Sequence, residues 1–252
     1  MTHPYLDWPG PIAFAHRGGA SENPENTLPA FQHAIDLGYT YLETDVHATS
    51  DGVLVAFHDN DLERTCGRPG LIDELPWSEV SEARVDGTEP IPLFDDLMEA
   101  FPDTRVNIDC KTDASLEPLV AALRKHDCLD RVCIGSFSDA RLRCLRRELG
   151  PGLCSSFGPA QVAAWRFGLP VPWGGQIAQV PPAQGPVAIV TDSTVRRAHR
   201  RNFQVHVWTI DDADEMHRLL DLGVDGIMTD RPVVLKEVLV ERGEWVDGPT
   251  RS

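Results

Sequence analysis

A chain of 252 residues with 39 acidic against 23 basic side chains carries a formal charge of −16, a field that repels nucleic acid and anionic bilayers. Hydrophobic residues make up 42% and aromatics 7%, which suits an aliphatic core and excludes a disordered chain. No apolar run reaches the roughly 18 residues of a membrane span. Met1 to Gly10 has neither the basic start nor the apolar core of a secretory signal. The expectation is a soluble, cytoplasmic protein with no nucleic-acid partner and no stable membrane insertion.

Ile12 to Ala15 reads as a buried strand ending at His16-Arg17-Gly18-Gly19. Asn26 to Leu37 reads as an amphipathic helix, because Leu28, Phe31, Ala34 and Ile35 share one face and Gly38 ends it. Asn26 either helps fix the first strand–helix loop with Glu25 and Thr27 or is only the helix N-cap. Tyr39 to Thr49 is a second strand carrying Glu43-Thr44-Asp45. Residues two apart in a strand share a face, so Glu43 and Asp45 project together while Thr44 and Val46 point away. Val53 to Phe57 then delivers His58 and Asp59. Between about residues 60 and 92, Gly67, Pro69, Gly70, Pro76, Gly87 and Pro90 predict an irregular excursion after the second strand, with one short helix from Trp77.

The alternation resumes with a helix from Leu93 to Ala100, a strand from Arg105 to Cys110 and a helix from Ser115 to His126. Strands follow at Val132 to Gly135, Leu153 to Phe157, Gln176 to Val180, Gln204 to Thr209 and Gly226 to Thr229. Helices at Asp139 to Leu149, Pro159 to Arg166, Thr191 to Arg201 and Asp211 to Leu222 separate them. Repeated strand–helix units favour a parallel sheet, either an open doubly wound sheet or a closed (β/α)8 barrel, which takes about 250 residues. No Gly-rich dinucleotide fingerprint or P-loop supports the open sheet. One domain is the economical reading. The cysteines, Cys66, Cys110, Cys128, Cys133, Cys144 and Cys154, form no CxxC and read as reduced and mostly buried.

Glu43, Asp45 and Asp109 lie in strand-like segments whose alternate positions are apolar. Buried carboxylates are costly unless paired or metal-bound, so these form a candidate site for one hard divalent cation. Oxygen ligation suits Mg²⁺, Ca²⁺ or Mn²⁺ better than Zn²⁺. Lys111 is two residues beyond Asp109 on the same strand face. His33, His126, His199 and His217 fall on predicted helices as ordinary surface or structural residues. His47 shares the face of Glu43 and Asp45, and His206 that of Trp208, which leaves each open between pocket and core.

Order and spacing of His16-Arg17-Gly18-Gly19, Glu25-Asn26-Thr27, Glu43-Thr44-Asp45-Val46, Asp51-Gly52, His58-Asp59, Arg64-Thr65, Asn107-Ile108-Asp109-Cys110-Lys111, Trp208-Thr209 and Gly223 to Pro232 resemble the glycerophosphodiester phosphodiesterase family almost end to end. The resemblance implies a metal-dependent (β/α)8 barrel whose partner is a small-molecule glycerophosphodiester. It implies His16 and His58 as the acid and base pair, Glu43, Asp45 and Asp109 as metal ligands, and Arg17, Lys111 and Trp208 as substrate contacts. Asp109 stands where the family more often has Glu. Its side chain is shorter by about 1.5 Å, which opens the alternative of coordination through water. Asp211 stands where Asn is common.

Two rivals accompany this reading. A lysophospholipase D acting on single-chain lipids would want an apolar ramp, for which Leu75, Trp77, Trp165, Phe167 and Trp173 are candidates. A catalytically silent phosphate-binding barrel would be free to lose a histidine or an acid, and this chain keeps both histidines and all three acids.

Overall fold

The computed structural model describes residues 2–248. The barrel strands are β1 (Ile12–His16), β2 (Tyr41–Ala48), β3 (Arg105–Cys110), β4 (Val132–Gly135), β5 (Cys154–Ser155), β6 (Ile177–Val180), β7 (Gln204–Val207) and β8 (Gly226–Thr229). They lie in the order β5-β4-β3-β2-β1-β8-β7-β6, all parallel. The ends meet where a single parallel bridge joins Ser156 to Ile177. Gln176 N–H to Ser155 O (2.9 Å) and Phe157 N–H to Ile177 O (2.7 Å) flank that bridge. The sheet is therefore a nearly closed barrel whose thinnest seam lies between β5 and β6.

The helices outside it are α1 (Leu28–Asp36), α2 (Phe94–Ala100), α3 (Leu116–His126), α4 (Asp139–Leu149), α5 (Pro159–Phe167), α6 (Asp192–His199), α7 (Ala213–Asp221) and α8 (Pro232–Glu241). The alternation read from the sequence stops at β8, and α8 is an addition. Its valines disguise a helical period in which Leu235, Val238 and Leu239 are buried, and Pro232 stands in the first turn, where a missing N–H costs nothing. Thr27, not Asn26, caps α1, with its Oγ1 accepting from Ala30 N–H at 3.3 Å.

Side chains alternate between two cores. Ala15, Leu42, Val106 and Ile108 face α1 to α4, while Ala178, Val205, Val207 and Ile227 face α5 to α8. Inside the barrel, Ile12, Phe14, Tyr41, Cys133, Cys154 and Ile177 pack against Tyr5 and Leu6 of an N-terminal turn that plugs the floor. Moving toward the strands' C-terminal ends, the same inward parity becomes polar, from Asn107 and Gln179, joined at 2.7 Å, to His16, Glu43, Asp45 and Asp109.

Leu54–Ala56 pairs antiparallel with the far end of β2, outside the barrel ring. The segment that follows holds short helices Glu63–Cys66 and Trp77–Val80 and a small two-stranded sheet, Arg84–Val85 with Glu89–Pro90. It is ordered around its own core of Val55, Phe57, Leu62, Ile72, Val80, Val85 and Ile91. All of the cysteines are free. Among the described residues no helix is long and apolar enough to cross a membrane.

His206 lies fully buried against Phe14, with Nε2 at 2.9 Å from Gln204 and Nδ1 unpartnered. Burial pushes its pKa down to about 3. The unfolded chain, with His near 6.5, binds more protons, so stability falls progressively as the pH drops from about 6.5 toward 3. We expect His206→Gln to flatten this acid limb by an amount on the order of 2 kcal/mol. Urea denaturation between pH 7 and 4 measures it.

Candidate active site

The C-terminal ends of the strands open onto a cavity of about 710 Å³, a size that suits a small-molecule ligand. Strand register builds its polar end. His16 lies level with Glu43, and Asp45 level with Asp109, so each stands beside the other across one strand gap. The turn after β1 is tight. Gly18 and Gly19 have φ of +83° and +98°, and a Cβ would come within 2.7 Å of Ala30 or 2.6 Å of Pro232. That close packing against α1 and α8 fixes where Arg17 begins.

Each catalytic histidine candidate has Nδ1 occupied by a carboxylate. His16 Nδ1 lies 2.6 Å from Asp230 Oδ1, and His58 Nδ1 2.6 Å from Asp59 Oδ1. Proton exchange with a ligand therefore falls to the Nε2 atoms. Burial lowers His16, but Glu43 and Asp230 outweigh it and raise its pKa above the ordinary value. Burial dominates at His58 and lowers it. Asp211 does not face the cavity. Its Oδ1 accepts from Asp230 N–H (2.8 Å) and Thr229 Oγ1 (2.9 Å), so it braces the residue that orients His16.

Arg64 performs the matching task for His58. Its Nε donates to Asp59 at 2.6 Å, and its NH1 and NH2 donate to Glu25 at 2.8 and 2.6 Å. Glu25 in turn accepts from Arg17 NH1 at 3.0 Å. Asp230→Asn is expected to lower kcat by about tenfold to a hundredfold with KM little changed, the low end of what acid–base groups contribute. Steady-state kinetics on the folded variant check it.

The acids are crowded. Burial, then the neighbouring Asp45 charge, push Glu43 up to about 7. Burial also works to raise Asp45, but Lys111 and Arg17 outweigh it and hold Asp45 below the usual carboxylate range. Lys111 Nζ stands between Asp45 Oδ1 (2.8 Å) and Asp109 Oδ2 (2.7 Å). These carboxylates outweigh desolvation and raise its pKa. Arg17 Nε lies 3.3 Å from Asp45 Oδ2.

As the side chains stand, no three His, Cys, Asp or Glu residues among those described converge as a preformed metal cluster. The donor chemistry nonetheless fits a divalent cation. Asp109 Oδ1 is buried without a hydrogen-bond partner, and burial with the adjacent Asp45 charge makes Glu43 resist ionisation despite His16, Arg17 and Lys111. Lys111 lies between Asp45 and Asp109, where a cation would take its place.

Trp208 lines the cavity, edge-on to Phe137 with ring centroids 5.7 Å apart. His47 does not line it. Its Nε2 lies 3.0 Å from the His58 carbonyl, so it shapes the backbone that carries His58. Of the side chains suggested for an apolar ramp, Phe167 alone opens into the cavity. Trp165 is fully buried, Trp173 packs on Phe157 and Phe203, and Leu75 and Trp77 cover the core under the excursion. Asn26, read as a loop-fixing residue or an N-cap, makes a site contact that the sequence did not show. Its φ of +56° turns it inward, where Nδ2 donates to Asp45 at 3.1 Å and Oδ1 accepts from Thr44 at 2.7 Å. The signal for Asp59 and Asp230 was their place next to His58 and Thr229 within charged motifs.

Residues 16–234 match the model of the glycerophosphoryl diester phosphodiesterase family. The chain is 42% identical over 254 residues to the protein of Mycobacterium tuberculosis named probable glycerophosphodiester phosphodiesterase 2, covering 97% of this chain and 96% of that one. A lysophospholipase D of Rattus norvegicus is 29% identical, with 89% and 85% covered. Among solved structures, an Oleispira antarctica phosphodiesterase in complex with the product sn-glycerol-3-phosphate superposes with a TM-score of 0.78 at 22% identity, covering 92% and 97% of the chains. The fold, the paired histidines and the match across most of the chain agree: this protein belongs to the glycerophosphoryl diester phosphodiesterase family.

Proposed function

We propose that the chain hydrolyses glycerophosphodiesters to an alcohol and sn-glycerol 3-phosphate, with His16 and His58 as the acid and base pair. The observation that carries this reading is the pair of imidazoles at one cavity end, each with Nδ1 held by a carboxylate at 2.6 Å. One imidazole takes the proton of the attacking oxygen as it bonds to phosphorus. The other gives a proton to the alcohol oxygen as the P–O bond breaks.

Glu43, Asp45 and Asp109 would hold one divalent cation, Mg²⁺ or Ca²⁺ with Mn²⁺ as a further choice. When bound, the ion supplies charge stabilisation to the phosphoryl oxygens. Three carboxylates and one dication leave a charge of −1, which repels a phosphodiester. Arg17 and Lys111 bring it to +1 and bind the phosphate, with Lys111 leaving Asp45 and Asp109. Trp208 covers the glycerol or the headgroup.

The name of the Mycobacterium tuberculosis relative and the product in the Oleispira antarctica complex support the substrate class. Phosphorus NMR of glycerophosphocholine with the metal-loaded protein tests it. Conversion to a phosphomonoester with release of choline supports the reading, and an unchanged diester contradicts it.

A further inference from the structure

The excursion after β2 folds around a core of its own, yet one of its side chains is tied to the site. Arg64, on the short helix Glu63–Cys66, donates from Nε to Asp59 at 2.6 Å and from both terminal nitrogens to Glu25. Glu25 comes from the loop between β1 and α1, and its Oε1 is shared. Arg64 NH2 donates to that oxygen at 2.6 Å and Arg17 NH1 at 3.0 Å. Two guanidinium groups from distant parts of the chain therefore meet on one carboxylate oxygen. Among the described residues, Glu25 is the carboxylate that touches both.

Two like charges hold position this close only while an anion stands between them. Burial works to raise the Glu25 pKa, but Arg64 and Arg17 outweigh it and keep the carboxylate ionised. Its two arms end on different tasks. One ends at Arg17, whose Nε faces Asp45 at 3.3 Å. The other passes through Arg64 and Asp59 to His58 Nδ1, 2.6 Å from Asp59. The backbone that carries Glu25 is fixed to the same place. Asn26 donates from its N–H to the Arg17 carbonyl at 2.9 Å and from its side chain to Asp45 at 3.1 Å. Charge-assisted hydrogen bonds set direction as well as distance, and a guanidinium fork sets a plane.

We propose that Glu25 is a positioning residue shared by both halves of the reaction: through Arg17 it aims the guanidinium that meets the phosphate, and through Arg64 and Asp59 it aims the His58 imidazole. The inference rests on the phosphodiesterase reading above. Neither Glu25 nor Arg64 lines the cavity, so both act through the groups they hold. The excursion thereby has a task, which is to carry Arg64 to this carboxylate. A glutamine at position 25 keeps the size and loses the charge, and its single carbonyl oxygen cannot serve both forks.

The test is steady-state turnover of glycerophosphocholine by the metal-loaded full chain. Glu25→Gln should lower kcat about tenfold and raise KM about tenfold, because both arms are cut. Arg64→Lys keeps a charge without the fork, and should lower kcat about tenfold with KM little changed. The Arg64 side chain is half exposed, so that variant leaves the core intact. In the double variant, kcat should stay near that of Arg64→Lys while KM rises as in Glu25→Gln, since losses along one arm do not add. Proton NMR reads the His58 arm without substrate. The low-field Nδ1–H resonance of His58, assigned by its loss in His58→Ala, should shift or broaden in Glu25→Gln, and that of His16, held by Asp230, should not. Unchanged kcat in Glu25→Gln, kcat losses that multiply in the double variant, or an unmoved His58 resonance overturns the Arg64 arm. Unchanged KM overturns the Arg17 arm, and either result removes the shared role. A wild type inactive on glycerophosphocholine overturns the phosphodiesterase reading, while the His58 resonance still decides the positioning.

Discussion

Replacing either His16 or His58 by alanine is expected to lower kcat at least about a hundredfold, the lower end of a positioned acid–base group's contribution. Asp230 and Asp59 occupy the Nδ1 atoms, so each ring has one nitrogen left to work with. KM should change little, because in the proposed site Arg17 and Lys111 meet the phosphate charge. The double variant should lose scarcely more than either single one, since proton removal and proton delivery belong to one reaction event. In the wild type, kcat/KM should be bell-shaped in pH, as one imidazole must be charged and the other neutral. Near-normal turnover in either folded single variant would remove that residue from the chemistry.

Glu43→Gln should move activity and stability in opposite directions. Burial and Asp45 push the Glu43 carboxyl up to about 7 in the metal-free protein, against about 4.3 in an unfolded chain. Between these values the folded state holds the extra proton, so stability falls as the pH rises through 7. A glutamine keeps the shape and removes that cost. At pH 8 in chelator, the variant should therefore be more stable than wild type, by on the order of 1–2 kcal/mol. With metal supplied, it should lose roughly a thousandfold in kcat, because the proposed cation site would lack one of its carboxylates. Thermal melts in chelator read the first effect and turnover with saturating metal reads the second. A variant less stable than wild type would show that Glu43 is already compensated without metal.

Much of the barrel was legible because βα units leave two periods in the sequence, and the motifs fell at strand ends where barrel sites are built. Closure was less so. The seam between β5 and β6 rests on one bridge, and no residue pattern announces a single pair of hydrogen bonds. The excursion after β2 read as irregular because Gly and Pro punctuate it, while its small core of Val55, Phe57, Ile72 and Ile91 is assembled from residues too far apart to show a period. α8 was hidden by valines, whose local preference for strands is overridden by packing on the barrel.

For the site, strand parity placed Glu43 with Asp45 and Asp109 with Lys111. Which strand faces which across the barrel was a matter of register, and register brought Asp45 level with Asp109. The contact of Asn26 with Asp45 was beyond reach, because a positive φ in a loop residue has no sequence period. Asp211 shows the converse. A charge that looked available for the headgroup is instead held by the Asp230 and Thr229 donors behind His16.

The most direct measurement is glycerophosphocholine turnover by protein stripped with EDTA and then titrated with Mg²⁺, Ca²⁺ or Mn²⁺. Glu43, Asp45 and the unpartnered oxygen of Asp109 predict near-zero activity after stripping and saturable recovery with at least one of the ions. Full turnover in the stripped protein, unchanged by any ion, would contradict a metal-dependent site.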